Sequence, residues 1–429
     1  MKKLCLMVLT LVALSVFTIS PSRAGSDQKL IDKLVEKNIL TRSEAAELIQ
    51  QMQAEEAKEK KEIAGKEATK GFELPKWVEN TKFKGDVRAR YQTEDTKNDS
   101  NPDRNRGRVR LRLGVVSEVT DQWEAGFGIA TGSNDPRSTN QTLENTFSSK
   151  DIRLDYAYAK YSPVTWANLW LGKFTNPIWG TKDLLWDSDI TPEGATLTFN
   201  YEASKNLEFF GTLGGFVLEE FSSKANDPYM IAVQPGINIK LPGSTYIKAA
   251  ASYYEFQNVK GNDWTAGGSY GIGTNSRDAG GNWEYDHDAF VGDLEFGITK
   301  IPGPVPFAAL FGQYVQATNI DDNNIYNKKD DTGWLAGFKF GHKKVKGFGD
   351  WQVKYNYRRL ERDAWPDFLP DSDFYGGATN AKGHEAQIEF GIAKNVYLEF
   401  DYYNTKEIRK SGTQDKDQSI FQADLNVKF

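Results

Sequence analysis

One cysteine, Cys5, occurs in 429 residues, and it sits inside an N-terminal apolar run. A chain cleaved behind that run carries no thiol, so disulfides, zinc–thiolate sites and thiol catalysis are excluded together. Histidine is almost as scarce. His287, His342 and His384 stand apart, without metal-site spacing, and read as incidental residues of a wall or rim. No Gly-x-Ser-x-Gly elbow occurs, and Gly268-Ser-Tyr-Gly-Ile-Gly falls in a long loop rather than between a strand and a helix, so it is no nucleotide fingerprint. The acids at Asp321-Asp322 and Asp330-Asp331 fit an external polar loop as well as a calcium site, and no cofactor or metal is expected.

Long apolar runs are also missing after Ile19. Met1-Lys2-Lys3, the apolar run Leu4 to Ile19 and Ser22-Arg23-Ala24 read as a secretory signal peptide, residues 1–24. Nothing later approaches the roughly 20 consecutive apolar residues of a membrane-spanning helix. Basic charge is in deficit: the 53 Lys and Arg lose Lys2, Lys3 and Arg23 with the leader, leaving 50 against 59 acids, a net charge of −9. Such a chain is exported and acidic and is no nucleic-acid binder. Mean hydropathy is −0.59 although 13% of residues are aromatic, a combination that suits a barrel turning every second residue to lipid.

What is present in quantity is two-residue alternation. In Arg104 to Val116, Arg108, Arg110 and Arg112 share one strand face and Val109, Leu111, Leu113 and Val115 the other. The preceding stretch, Phe83 to Glu94, opposes Asp86, Arg88 and Arg90 to Val87, Ala89 and Tyr91, so two neighbouring strands would share an arginine face. Guanidiniums in such a row repel unless they face water or acids, and a water-filled barrel lumen supplies both.

About sixteen runs of roughly ten residues follow from Phe83, near the length of a tilted membrane strand. Seven short connections, such as 242–244 and 393–395, interleave with eight long ones, the longest at 257–286. That phase predicts an all-β fold, a transmembrane antiparallel up-and-down β-barrel over residues 77–429 with both termini in the periplasm. In the last run Phe421, Ala423, Leu425, Val427 and Phe429 share one face, and Phe429 on the lipid side resembles the signal read by the outer-membrane barrel assembly machinery. Residues 25–76 differ in kind. They carry helical spacing (Leu30, Ile31, Leu34, Val35), a capping box at Thr41-Arg42-Ser43-Glu44 and a Glu/Lys/Ala mixture to Lys70. They read as a short helical periplasmic segment, either a solvated linker or a small coiled coil that trimerises or touches the cell wall.

The blocks Phe83-Lys-Gly-Asp-Val-Arg-Ala-Arg-Tyr, the arginine strand, Gly128-Ile-Ala-Thr-Gly-Ser, Gly172-Lys-Phe-Thr-Asn-Pro and Leu185-Trp-Asp-Ser-Asp-Ile-Thr-Pro-Glu-Gly resemble the bacterial putative porin family, most clearly from Phe83 to about Glu219. The resemblance implies an outer-membrane channel for passive diffusion of small hydrophilic solutes or ions, embedded in outer-membrane lipids, with a homotrimer as its expected assembly. In sixteen-stranded general porins the third long loop narrows the lumen with acids facing a basic wall. Here that loop, 175–191, carries Asp183, Asp187 and Asp189. The expectation is a constriction between these acids and Arg88, Arg90, Arg108, Arg110 and Arg112; the alternative is that the acids cap the loop or lie in external solvent. Trp179 and Trp186 in the same loop serve its packing or form a sugar-stacking track. Two other classes stay open: a scaffold that sheathes or tethers a periplasmic partner, and an outer-membrane barrel enzyme, which the missing Ser, His and Asp set disfavours.

Overall fold

The computed structural model describes residues 33, 35–37, 41, 43–47, 49–51 and 54, and residues 76–429 apart from 98–101, 182, 264–272, 322–328 and 411–415. The signal peptide and the Gly268 stretch up to Ile272 lie outside the described residues. The chain divides into two units, residues 1–75 and 76–429. In the first, all described positions from 43 to 54 are helical. The capping box is formed: Thr41 N–H and Oγ1 donate to Glu44 Oε2 at 2.9 and 2.7 Å, and Glu44 N–H returns to Thr41 Oγ1 at 3.3 Å.

The second unit opens with a one-turn helix, α1 (Lys76–Glu79), and continues as sixteen antiparallel wall strands. These are β1 (Thr81–Thr96), β2 (Arg104–Glu118), β3 (Trp123–Thr131), β4 (Ile152–Val164), β5 (Ala167–Lys173), β6 (Glu193–Ser204), β7 (Leu207–Val217) and β8 (Tyr229–Leu241). The second half comprises β9 (Thr245–Gln257), β10 (Ala289–Thr299), β11 (Phe307–Ala317), β12 (Thr332–Gly341), β13 (Trp351–Leu360), β14 (Ala381–Ala393), β15 (Val396–Glu407) and β16 (Gln418–Lys428). A two-residue strand, Gln141–Thr142, adds to β2 beyond the end of β3. Each wall strand pairs with its sequence neighbours, and β16 closes on β1, so no edge is left open. Seven short turns gather at one end and eight long loops at the other, in the phase the sequence predicts.

Alternation decides which residues face lipid. On β1, Val87 and Tyr91 are exposed while Asp86, Arg90 and Gln92 are buried inward; on β16, Phe421 and Leu425 are exposed while Gln422, Asp424 and Asn426 are buried. Exposed aromatics stand near both rims: Phe83, Trp123 and Tyr201 at the short-turn end, Tyr91, Phe290, Tyr314 and Tyr402 toward the long loops. Rings of this kind suit the amphipathic interfaces of a bilayer. Phe429 lies outward, and its backbone exchanges hydrogen bonds with Gly85 across the closure at 2.8 and 3.0 Å. Its ring covers Gly85, where an added Cβ would stand 2.7 Å from it.

The inner face is not polar throughout. Toward the long-loop end, Phe216, Met230, Tyr254, Phe256, Val291, Val315, Leu335 and Leu360 point inward and form one apolar core with residues of three loops. Several of these sit beside an outward apolar residue, as Val291 does beside Phe290 and Leu335 beside Trp334, so that part of the wall is apolar on both faces.

Candidate permeation pathway

The loop between β5 and β6 carries apolar side chains, among them Leu184, Leu185 and Ile190, that would be stranded in water outside the barrel. It folds inward instead, and all three are buried in the inner core. Removing each from water contributes about 2 kcal/mol. The loop's polar backbone is satisfied by the wall as it passes. Pro177 O accepts from Thr212 on β7 at 3.2 Å, and Trp179 exchanges N–H and C=O bonds with the Gln234 amide on β8 at 2.8 and 2.6 Å. Thr181 N–H donates to Asp293 on β10 at 3.2 Å. Lys354 and Arg358 on β13 then bind the Asp183 carboxylate and carbonyl. Asp187 N–H donates to Leu369 O at 2.7 Å, and Asp187 accepts from Ser372 N–H at 2.8 Å, both in the loop between β13 and β14. Asp189 accepts from Thr139 N–H and Oγ1 at 3.0 and 2.9 Å and lies 3.4 Å from Arg112. The loop therefore runs round the inside of the wall.

The loop between β13 and β14 supplies the clamp. Trp365 is fully buried, donates from Nε1 to Leu185 O at 2.7 Å, and stands edge-on to Trp186, Tyr254 and Phe256. It is tied in turn to the β9–β10 loop: Asp363 accepts from Ser276 N–H and Oγ at 2.7 and 2.6 Å, and Asp367 accepts from Thr274 N–H at 2.7 Å. His287 is buried against Asp363 O at 3.0 Å, and burial pushes its pKa down to about 4, so it serves as a neutral packing residue.

The five arginines lie inward, as the alternation predicts, but they are held by acids of the closure seam more than by loop acids. Arg90, 5% exposed, binds Asp424 through Nε and Nη2, both at 2.8 Å, and reaches Asp373 at 3.1 Å. Arg88 lies 3.1 Å from both Asp424 and Asn426. Arg110 and Arg112 share Asp86, with Nε bonds of 2.9 and 2.7 Å. Arg108 is held by neutral acceptors, Gln92, Ser138 and the Asn140 carbonyl. Of the three loop acids only Asp189 meets this face, through Arg112; Asp183 goes to β13 and Asp187 to the β13–β14 loop.

Burial shapes the loop acids. Asp187 is pushed well above the ordinary carboxylate range by burial, helped by the charges of Asp371 and Asp189. Burial raises Asp371 to about 7 despite Arg358 beside it. For Asp373 burial is outweighed by Arg90 and Arg108, and its pKa is lowered. The pathway residues that sequence reasoning passes over are Asp371 and Asp373, whereas alternation places Lys354, Arg358 and Glu385 on lumen-facing sides of their strands. Lys354 and Arg358 are legible as the polar face of β13, whereas nothing local identifies their partners 13 to 175 residues away.

Among the described residues no cluster of His, Cys, Asp and Glu is arranged to hold a metal ion. No helix among them is long and apolar enough to cross a membrane.

A family model described as putative porin matches residues 93–282 and 276–429. Among solved structures, Pseudomonas putida OprB at high pH is similar with 12% identity and a TM-score of 0.55, over 82% of this chain and 95% of that one. The Acinetobacter baumannii outer-membrane channel DcaP and Salmonella typhi OmpF in complex with daunomycin each give 13% identity and a TM-score of 0.47, over 81% of this chain and 97% of theirs. No curated protein matches the sequence.

Proposed function

Since the chain belongs to the putative porin family and folds as a closed sixteen-strand barrel, it is a porin-like outer-membrane channel, and we propose that it passes small hydrophilic solutes or ions by passive diffusion through a lumen narrowed by the 175–191 loop. The observation that carries the reading is the inward course of that loop, hydrogen-bonded in succession to β7, β8, β10 and β13 and then to the neighbouring loops. A loop anchored at so many points is a fixed constriction rather than a swinging lid. In this reading Arg88, Arg90, Arg108, Arg110 and Arg112 form one side of the narrow section. Asp183, Asp187 and Asp189 fix the loop that forms the rest. Asp86 and Asp424 offset two of the five guanidinium charges and Asp373 and Asp189 two more, so the row acts chiefly as a rigid polar wall.

The short-turn end is assigned to the periplasm and the long loops to the exterior. Passive diffusion requires no catalytic set, and none is assigned. The test is single-channel recording in planar bilayers with the purified full chain. Stable ohmic steps are expected; a folded, heat-modifiable barrel that never conducts would overturn the channel reading and return the scaffold alternative.

A further inference from the structure

Below the 175–191 loop, on the side of the lumen away from the arginine row, lies a cavity of about 980 Å³. Its roof is Trp179, Gly180 and Thr181, and its mouth is formed at the short-turn end by the β8–β9, β10–β11 and β12–β13 connections. Seven lysines line it against two acids, Asp183 and Glu295, and both acids are already engaged. Glu295 holds Lys339 at 2.7 Å, and Asp183 holds Lys354, which also reaches Glu385. Lys240, Lys248, Lys300, Lys343 and Lys344 make no ion pair among the described residues. Like charges concentrated in a confined space beside a low-dielectric wall reinforce one another and are screened less than on an open surface.

Aromatic rings position two of these ammonium groups. Lys248 lies 4.6 Å from the Trp179 ring centroid and 4.4 Å from that of Phe210, and the two rings meet edge to face. Lys343 lies 5.3 Å from Tyr246. Cation–π contact holds an ammonium without cancelling its charge, which leaves its N–H donors free for an anion. Trp179 is itself fixed by its paired bonds to Gln234. Lysine is a point charge without the fork geometry of arginine, so the basin selects for charge number more than for shape.

We propose that this basin is a binding site for small anions carrying two or more charges, of the phosphate type, and that it sets an anion preference for the channel. The proposal rests on the channel reading above. An anion entering from the short-turn end meets the lysines before the loop, whereas one entering from the other side must first pass the narrow section.

The test is bilayer recording in potassium chloride with inorganic phosphate titrated on either side, on the parent chain and on Lys248→Gln/Lys343→Gln/Lys344→Gln. The parent is expected to prefer chloride over potassium several-fold in reversal potential. Phosphate should reduce its chloride current at lower concentration from the short-turn side, and the triple variant should need at least tenfold more phosphate. Lys205→Gln/Lys394→Gln, in two other short turns, should match the parent. Heat-modifiability checks that each variant is folded, and single Lys248→Gln replaces the triple variant if that one is not. Absence of conductance in the parent would sink the channel reading itself. Conductance with no anion preference, or a phosphate response unchanged in the folded lysine variant, would overturn the basin alone.

Discussion

Replacing Asp424 with asparagine isolates the energetics of the arginine row. The Asp424 side chain has no exposed surface; it receives two bonds of 2.8 Å from Arg90 and lies 3.1 Å from Arg88. Removing one partner of a buried ion pair costs about 3–5 kcal/mol, because the other charge is left unpaired. Here the loss is softened, since Arg90 keeps Asp373, Arg88 keeps Asn426, and asparagine still offers one acceptor oxygen. About 2–3 kcal/mol is the expected cost. If it falls on the unfolding rate, the folded form should convert to the unfolded form about 30- to 150-fold faster. The assay is the time course of the gel-mobility shift of the detergent-solubilised barrel at fixed temperature and urea. Arg90→Met with Asp424→Leu removes both charges and should recover part of the loss, since apolar replacement of a buried pair is often neutral but here leaves Asp373 without Arg90 and Arg88 with Asn426 alone. An Asp424→Asn barrel that unfolds within threefold of the parent rate would refute the argument, because the arginines would then be satisfied by water.

The raised Asp371 and Asp187 stabilise their protonated forms in the folded chain, so that contribution is complete below the ordinary carboxylate pKa of about 4; the share of Asp371 is lost as pH rises through about 7, and that of Asp187 is lost above the ordinary carboxylate range. Among Arg358, Asp373, Asp183 and Glu385, the clamp should therefore loosen between pH 5 and 8, seen as rising current noise that Asp371→Asn abolishes; noise independent of pH in the parent would count against it. Trp365→Ala should cost about 3–5 kcal/mol and free the 175–191 loop, giving faster amide exchange there and a larger conductance; unchanged exchange would show the loop is held by its wall bonds alone. Phe429→Asp places a charge on the outward face over Gly85 and should block barrel insertion while leaving export intact, checked by fractionation and heat-modifiability; normal folded barrel in the outer membrane would dismiss that role.

Strands and turns were readable because each lipid-facing residue must be apolar whatever its neighbours are. Asp86, Arg88 and Arg90 against Val87, Ala89 and Tyr91 is a local pattern, and the seven short turns carry the phase along the chain. The inner core was less readable. Alternation fails where Phe290 and Val291, or Trp334 and Leu335, are apolar together, and this failure is the trace left by loops packed inside. Identity of the loop's partners was not legible at all: Asp183 meets Lys354 across 171 residues, and no periodicity encodes such a pair. The arginine face and one of its counter-charges, Asp86, were visible on two strands, yet others come from Asp424 at the far end of the chain and from Asp373 in a loop.

The seam pairing has a consequence for assembly. Arg90 and Asp424 are 334 residues apart and stand directly opposite each other when β16 docks on β1, with Arg88 opposite Asn426. Slippage of β16 by two residues would preserve the inward and outward faces of every side chain, so lipid alone does not forbid it. It would, however, set Arg90 against Gln422 or Asn426 and displace the acid from the position where both guanidiniums reach it. The final ion pair thus acts as a key for the stagger of the cylinder, and stagger together with strand number fixes the bore. In this chain the diameter of the hole depends on the register at which β16 meets β1.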